Sequence, residues 1–121
     1  MISYGRQSIS SEDIEAVKKT LKSDFLTQGP KVPEFEKKIA KFTRSKYAVA
    51  VNSGTSALHI SCLALGLTKG DYLWTSAISF VASANCGLYC GAQIYLIDIN
   101  QHDTNINLDA LEVKLRLAKK K

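Results

Sequence analysis

The chain is short of the features that mark unusual protein classes. It has three cysteines, Cys62, Cys86 and Cys90. An odd number, set in apolar helix-like contexts, fits reduced thiols in a cytoplasm better than a disulfide framework. Cys86 and Cys90 are four apart, and His59 and Cys62 three apart, so each pair could share a helix face. Zinc needs four ligands in one place, and a free cysteine is by default a small buried hydrophobe, so no metal site is expected. No run of 18 apolar residues occurs, which argues against a membrane span. The N-terminus has no basic stretch followed by an apolar core, so no secretory signal is expected. There is no internal repeat, and the only biased stretch is the basic end.

What is present is ordinary. Apolar residues make up 45% and charged residues 22% of 121, enough for a soluble domain with a core. The net charge of +5 hints at nucleic acid, but Lys114, Arg116, Lys119, Lys120 and Lys121 supply much of it at the C-terminal end. Cations at a helix C-terminus complement its dipole. The tail also lacks aromatic residues that could stack on bases. No nucleic-acid partner is expected.

The periodicity places several elements. Ser10-Ser11-Glu12-Asp13 reads as a capped, acidic helix start, followed by Ile14, Val17 and Leu21 on one face. Thr27-Gln28-Gly29-Pro30 is a turn-rich linker. Pro33 suits a first helical position, and Phe35, Ile39 and Phe42 form the next apolar face. A strand is expected over 47–51, a helix from the following polar loop to about Leu67, a short strand over Tyr72–Thr75, and a helix over Phe80–Tyr89 stopped by Gly91. A strand over Gln93–Ile97, a loop over Asp98–Asn107, and a last helix carrying Leu108, Leu111 and Leu115 with Asn107 as cap complete the pattern. The expected division is an N-terminal helical segment, 1–46, and a βαβαβα segment, 47–121. That alternation predicts an α/β fold with a mostly parallel sheet and flanking helices. Three short strands leave two open edges and incomplete burial, which suggests part of a larger unit.

The junction Asn52-Ser53-Gly54-Thr55-Ser56-Ala57-Leu58-His59 carries the chemistry. An apolar run, a small polar loop and a helix start present unpaired N–H groups to an anion, where the helix dipole favours negative charge. Neither the triphosphate pattern G-x-x-x-x-G-K-[ST] nor the dinucleotide pattern G-x-G-x-x-G is present. Taken alone, such a junction is equally well a simple helix cap.

Four segments in register resemble the DegT/DnrJ/StrS family of pyridoxal-phosphate-dependent nucleotide-sugar aminotransferases, over the N-terminal third only. They are Leu26-Thr27-Gln28-Gly29-Pro30 with Val32 and Phe35-Glu36; Val51 to His59; Ile78-Ser79-Phe80-Val81-Ala82-Ser83-Ala84-Asn85; and Ile97-Asp98-Ile99 with Asn105-Ile106-Asn107. Within the family the chain most resembles the pseudaminic-acid pathway transaminases, which act on a UDP-linked 4-keto-6-deoxy sugar. The resemblance implies part of the large domain of a fold-type-I aminotransferase, a homodimer when full-length, and pyridoxal 5'-phosphate as cofactor. It implies that Gly54, Thr55 and Ser56 hold the cofactor phosphate and that Phe80 stacks on its ring. It places Tyr4, Asp24, Phe25, Leu26 and Thr27 where the family contacts the nucleotide sugar. Capping by Thr55 and Ser56, a core Phe80 and an ordinary turn at 24–27 are the alternatives.

Transamination also needs a lysine that forms a Schiff base with the cofactor and a carboxylate on the ring nitrogen. The resemblance places both beyond the matched region, and none of the lysines here sits in a matching segment. No catalytic residue is therefore assigned, and weak cofactor binding and no activity alone are expected. The sequence departs from the family pattern at Ser76-Ala77, where Thr-Pro is usual, and at Trp74, where a smaller aliphatic is usual. A stand-alone phosphate-binding or interaction module and a non-functional gene remnant remain open.

Overall fold

A computed structural model describes residues 5–118, as two compact units, Met1–Ala50 and Val51–Lys121. The first unit is helical. Helix α1, Ser11–Leu21, starts at a capping box: Ser10 Oγ accepts the Asp13 N–H, and the Asp13 carboxylate accepts the Ser10 N–H at 2.8 Å. Helix α2 is Lys31–Thr43. Pro33 is its third residue, not its first as expected; the third N–H of a helix has no intrahelical partner either, so proline is accepted there. Arg44, at φ 56°, ends α2, and the Ser45 N–H closes back on the Ala40 carbonyl.

Glu34 on α2 lies between two lysines, 2.8 Å from Lys31 Nζ and 3.0 Å from Lys38 Nζ. These bonds, Lys31 foremost, hold its carboxyl at about 2 instead of the ordinary 4.5. A folded-state value below the unfolded one stabilises above pH 4.5 and loses that contribution as pH falls through 2. Circular dichroism of the chain and of Glu34→Gln should therefore differ near neutral pH and converge below about pH 2, with the gap narrowed by salt.

The second unit carries the sheet. Its elements are α3 (Gly54–Ala64), β1 (Tyr72–Ser76), α4 (Ala82–Tyr89), β2 (Gln93–Ile97) and α5 (Leu108–Ala118). β1 and β2 pair in parallel, from Tyr72 opposite Gln93 to Ser76 opposite Ile97. Leu73 and Ile94 point to the face covered by α4, which approaches through Gly87. Tyr72 and Tyr95 share the other face with rings 5.3 Å apart, and Lys114 of α5 lies over the Tyr95 ring. The chain is thus α/β with a small parallel sheet and flanking helices.

Besides the start of α2, and β1 running one residue further to Ser76, other elements differ from the sequence-based expectations. The strand expected over 47–51 is absent: the segment has no ladder, and its one backbone N–H bond runs from Ala50 to Glu36 Oε1 at 2.9 Å. Its composition suits a strand, but among the described residues no strand pairs with it. Helix α3 stops at Ala64, short of Leu67, because Gly66 turns left-handed at φ 77° and the Leu67 N–H bonds the Cys62 carbonyl. Helix α4 begins at Ala82, leaving Phe80 in the turn before it. The expected stop at Gly91, the strand at 93–97 and the Asn107 cap, which accepts the Ala110 N–H at 3.0 Å, are all present.

The buried core is small: Cys62, Ala82, Cys86, Ala92 and Ile97. Helices α3 and α4 pack together, with the His59 and Tyr89 rings 5.3 Å apart. Burial, with Cys86 and Cys90 nearby, pushes the Cys62 thiol up to about 11, which keeps it protonated and unreactive. Among the described residues no helix is long and apolar enough to cross a membrane.

Candidate functional site

The N-terminus of α3 is built by Ser53. Its extended backbone (φ −157°, ψ 157°) lets its carbonyl accept the Ala57 N–H, while its Oγ accepts the Ser56 N–H at 3.1 Å. Ser56 Oγ donates to Asn52 Oδ1 at 2.9 Å and lies 3.0 Å from Ser53 Oγ. With the Ser56 proton committed to Asn52, the Ser53 hydroxyl is the donor between the two serines. The loop is therefore held by its own hydrogen-bond relay.

That relay leaves specific groups over. Among the described residues the N–H groups of Gly54 and Thr55 and the hydroxyl of Thr55 have no protein partner. No acidic residue sits in the first turn of α3, and nothing lies within 4 Å of where a Cβ on Gly54 would be. An anion reaching this helix end thus meets two free amides, one free hydroxyl and the positive end of the dipole without steric obstruction. A phosphate fits these donors. Of the three residues named from the sequence, Gly54 and Thr55 have hydrogens to offer, whereas Ser56 already uses both of its own. Asn52 and Ser53 hold the loop and were not singled out from sequence; a serine immediately before the first helical glycine was the available signal.

Phe80 lies in the turn between β1 and α4, on the C-terminal side of β1, and its side chain is 74% exposed. Backbone bonds fix its turn, since the Phe80 carbonyl accepts the Ser83 N–H at 2.9 Å and the Ala77 N–H donates to the Ile97 carbonyl at 2.8 Å. Asp98 follows β2 at the same sheet end and accepts the Ile99 N–H. Strand C-terminal ends are where ligands of open α/β sheets bind. A flat ring presented there suits a flat heterocycle.

Asp24, Phe25, Leu26 and Thr27 belong to the first unit. Ser23 Oγ lies 3.2 Å from the Phe25 carbonyl, and a Cβ on Gly29 would come within 2.8 Å of that same oxygen, so Gly29 is required for the turn to close. The Phe25 and Leu26 side chains face solvent. Tyr4 lies outside the described residues.

The model of the DegT/DnrJ/EryC1/StrS aminotransferase family matches residues 7–120. The chain belongs to this family. It is 43% identical over 115 residues to the UDP-4-amino-4,6-dideoxy-N-acetyl-beta-L-altrosamine transaminase of Campylobacter jejuni strain 81-176, covering 95% of this chain and 30% of that protein. It is 41% identical over 109 residues to the spore coat polysaccharide biosynthesis protein SpsC of Bacillus subtilis, covering 90% of this chain and 28% of SpsC. Among solved structures it is similar to Helicobacter pylori PseC, an aminotransferase involved in the biosynthesis of pseudoaminic acid, with TM-score 0.84 and 34% identity over 92% of this chain and 30% of that one. It is also similar to Spr1654 of Streptococcus pneumoniae in its PLP-form, with TM-score 0.88 and 29% identity over 93% of this chain and 29% of that one. The chain spans about 30% of the length of the curated relatives it matches. Membership in the DegT/DnrJ/EryC1/StrS family thus rests on nearly all of this chain and on under a third of each relative.

Proposed function

We propose that the chain is the cofactor-phosphate-binding portion of a pyridoxal-phosphate-dependent nucleotide-sugar aminotransferase. The observation that carries this reading is the free amide pair of Gly54 and Thr55 at the start of α3, in a chain of this family. The Gly54 and Thr55 N–H groups and the Thr55 hydroxyl would hold the phosphate, and the Phe80 ring would lie on the cofactor ring. When bound, the cofactor supplies the amino-group carrier and the electron sink of the reaction. Asp24 to Thr27, with Tyr4, would contact the nucleotide sugar. The name of the Campylobacter relative supports a substrate class: it carries an amine at C4 of a 6-deoxy sugar, and an amine made there by transamination comes from a ketone at C4. A UDP-linked 4-keto-6-deoxy sugar, on the way to a cell-surface glycan in the cytoplasm, is therefore the proposed acceptor.

The lysines of the described residues lie on α1, α2 and α5 or at Lys22, Lys46 and Lys69, away from the Phe80 turn in sequence. No covalent role is assigned to any of them. The 121-residue polypeptide alone should transfer no amino group from glutamate to such a sugar. A chimera in which it replaces the matched 30% of the Campylobacter transaminase should transfer it. Turnover by the chain alone, or a folded chimera that neither binds cofactor nor turns over, would contradict this reading.

A further inference from the structure

Of the segment Ile78 to Asn85, the proposed function uses only Phe80. Ile78, Phe80 and Val81 are all exposed, so packing does not fix the turn that carries the ring. A ring contributes its full stacking only when it is held in place before the ligand arrives, because ordering a side chain on binding costs part of the gain. Hydrogen bonds hold this turn instead, and they converge on Ser83. The Ser83 N–H donates to the Phe80 carbonyl at 2.9 Å. The Ser83 hydroxyl lies 2.9 Å from the Ser79 hydroxyl, in a bond that spans Phe80. The Ser83 carbonyl accepts the Cys86 thiol at 3.4 Å, and Ala82 and Cys86 are buried in the core. Ser83 is thus a fixed point, and both sides of Phe80 are tied to it. Helix α4 starts at Val81 without a side-chain cap. Among the described residues the Ser79–Ser83 bond is the one side-chain hydrogen bond between this turn and the helix.

From this convergence we infer that Ser79 is a positioning residue: through Ser83, its hydroxyl fixes the turn that presents the Phe80 ring to the flat heterocycle of the cofactor. This inference rests on the function proposed above. The Ser79 hydroxyl is engaged with Ser83, so it acts on the ligand through Phe80 and not by contact. Removing it therefore costs no more binding than removing the ring. A hydrogen bond of this kind contributes modestly, and Ser79→Ala should weaken pyridoxal phosphate binding about two- to fivefold. That lies below the ceiling of about tenfold for the ring itself. Ser79→Thr keeps the hydroxyl and should bind like the parent.

Two measurements test it. In the 121-residue chain without ligand, hydrogen exchange of the Ser83 amide reads the brace directly: Ser79→Ala should speed it about threefold or more, and Ser79→Thr should not. Titrations on the chain and on the chimera then read the ring. Ser79→Ala should weaken pyridoxal phosphate, leave inorganic phosphate unchanged, and add nothing in the Phe80→Ala background, since both variants remove one and the same contact. A serine that merely supports the fold would weaken both ligands and would do so with or without Phe80. Unchanged Ser83 exchange, an equal loss of inorganic phosphate, or a further loss in the double variant would overturn the inference. Parent-like binding by Ser79→Ala, where Phe80→Ala does weaken pyridoxal phosphate, overturns it alone and leaves the proposed function standing. Should Phe80→Ala itself leave pyridoxal phosphate binding unchanged, the stacking in the proposed function is wrong and the role of Ser79 goes with it.

Discussion

Gly87→Val is expected to abolish cooperative unfolding of the Val51–Lys121 unit. Gly87 is buried where α4 meets the sheet. A Cβ there would lie 2.7 Å from Ile94 Cδ1, 3.1 Å from Leu73 Cβ and 3.2 Å from Leu73 Cδ1. The Ile94 methyl is the end of a side chain and can swing aside; the Leu73 Cβ is fixed to its strand and cannot. Alanine therefore meets one overlap that the Ile94 methyl relieves and a tight contact with Leu73 Cβ that costs a shift of a few tenths of an ångström; set against about 1 kcal/mol of helix propensity gained over glycine, Gly87→Ala should come out near neutral. Valine adds two more methyl groups against the same strand, and overpacking of this kind costs about 1–3 kcal/mol. A core of four small residues and Ile97 has little margin for that. Emission of the single tryptophan, Trp74 on β1, during urea unfolding reads the transition directly. The double variant Gly87→Val/Ile94→Ala should recover part of the loss, because the two sites touch and their effects are not additive. A valine variant that unfolds like the parent would show that α4 does not sit on the sheet through Gly87.

The same position shows where sequence reading reaches its limit. The stop at Gly91 was legible because a left-handed glycine after an apolar helix is a local signal, and the Asn107 cap and strand 93–97 were legible for the same reason. Gly87 carries no such signal: its need for a missing side chain comes from Leu73 and Ile94, in two different strands. The segment 47–51 fails in the opposite direction. Its β-branched, apolar residues are suited to a strand, but a strand is a property of a pair, and no partner lies within the described residues. At the candidate site, the motif names Gly54, Thr55 and Ser56 alike. That Ser56 has its hydrogens bound to Ser53 and Asn52 depends on side-chain rotamers that no residue spacing encodes. Likewise the exposure of Phe80 follows from α4 beginning at Ala82 and not at Phe80, a shift of two residues within the ordinary uncertainty of helix ends.

Phe80 also offers the sharpest separation of binding from folding. In the 121-residue chain its ring is 74% exposed, so Phe80→Ala removes little packing, and surface changes of this kind move stability by less than about 0.5 kcal/mol. Unfolding of the Ala variant should match the parent. Ring-on-ring contact between aromatic groups contributes about 0.5–1.5 kcal/mol, and its upper end corresponds to about a tenfold change in dissociation constant. In the chimera, pyridoxal phosphate titrated against Phe80→Ala should therefore bind up to about tenfold more weakly, while Phe80→Tyr, which keeps the flat face, should bind like the parent. Inorganic phosphate distinguishes the two halves of the site. It offers no ring, so its affinity should be unchanged by Phe80→Ala and reduced by Thr55→Val, which removes the one free hydroxyl beside the Gly54 and Thr55 amides. If Phe80→Ala weakens inorganic phosphate and pyridoxal phosphate equally, the ring acts through the loop and not on the cofactor, and its stacking role is wrong. If neither ligand responds to either substitution, the α3 terminus is a cap and nothing more.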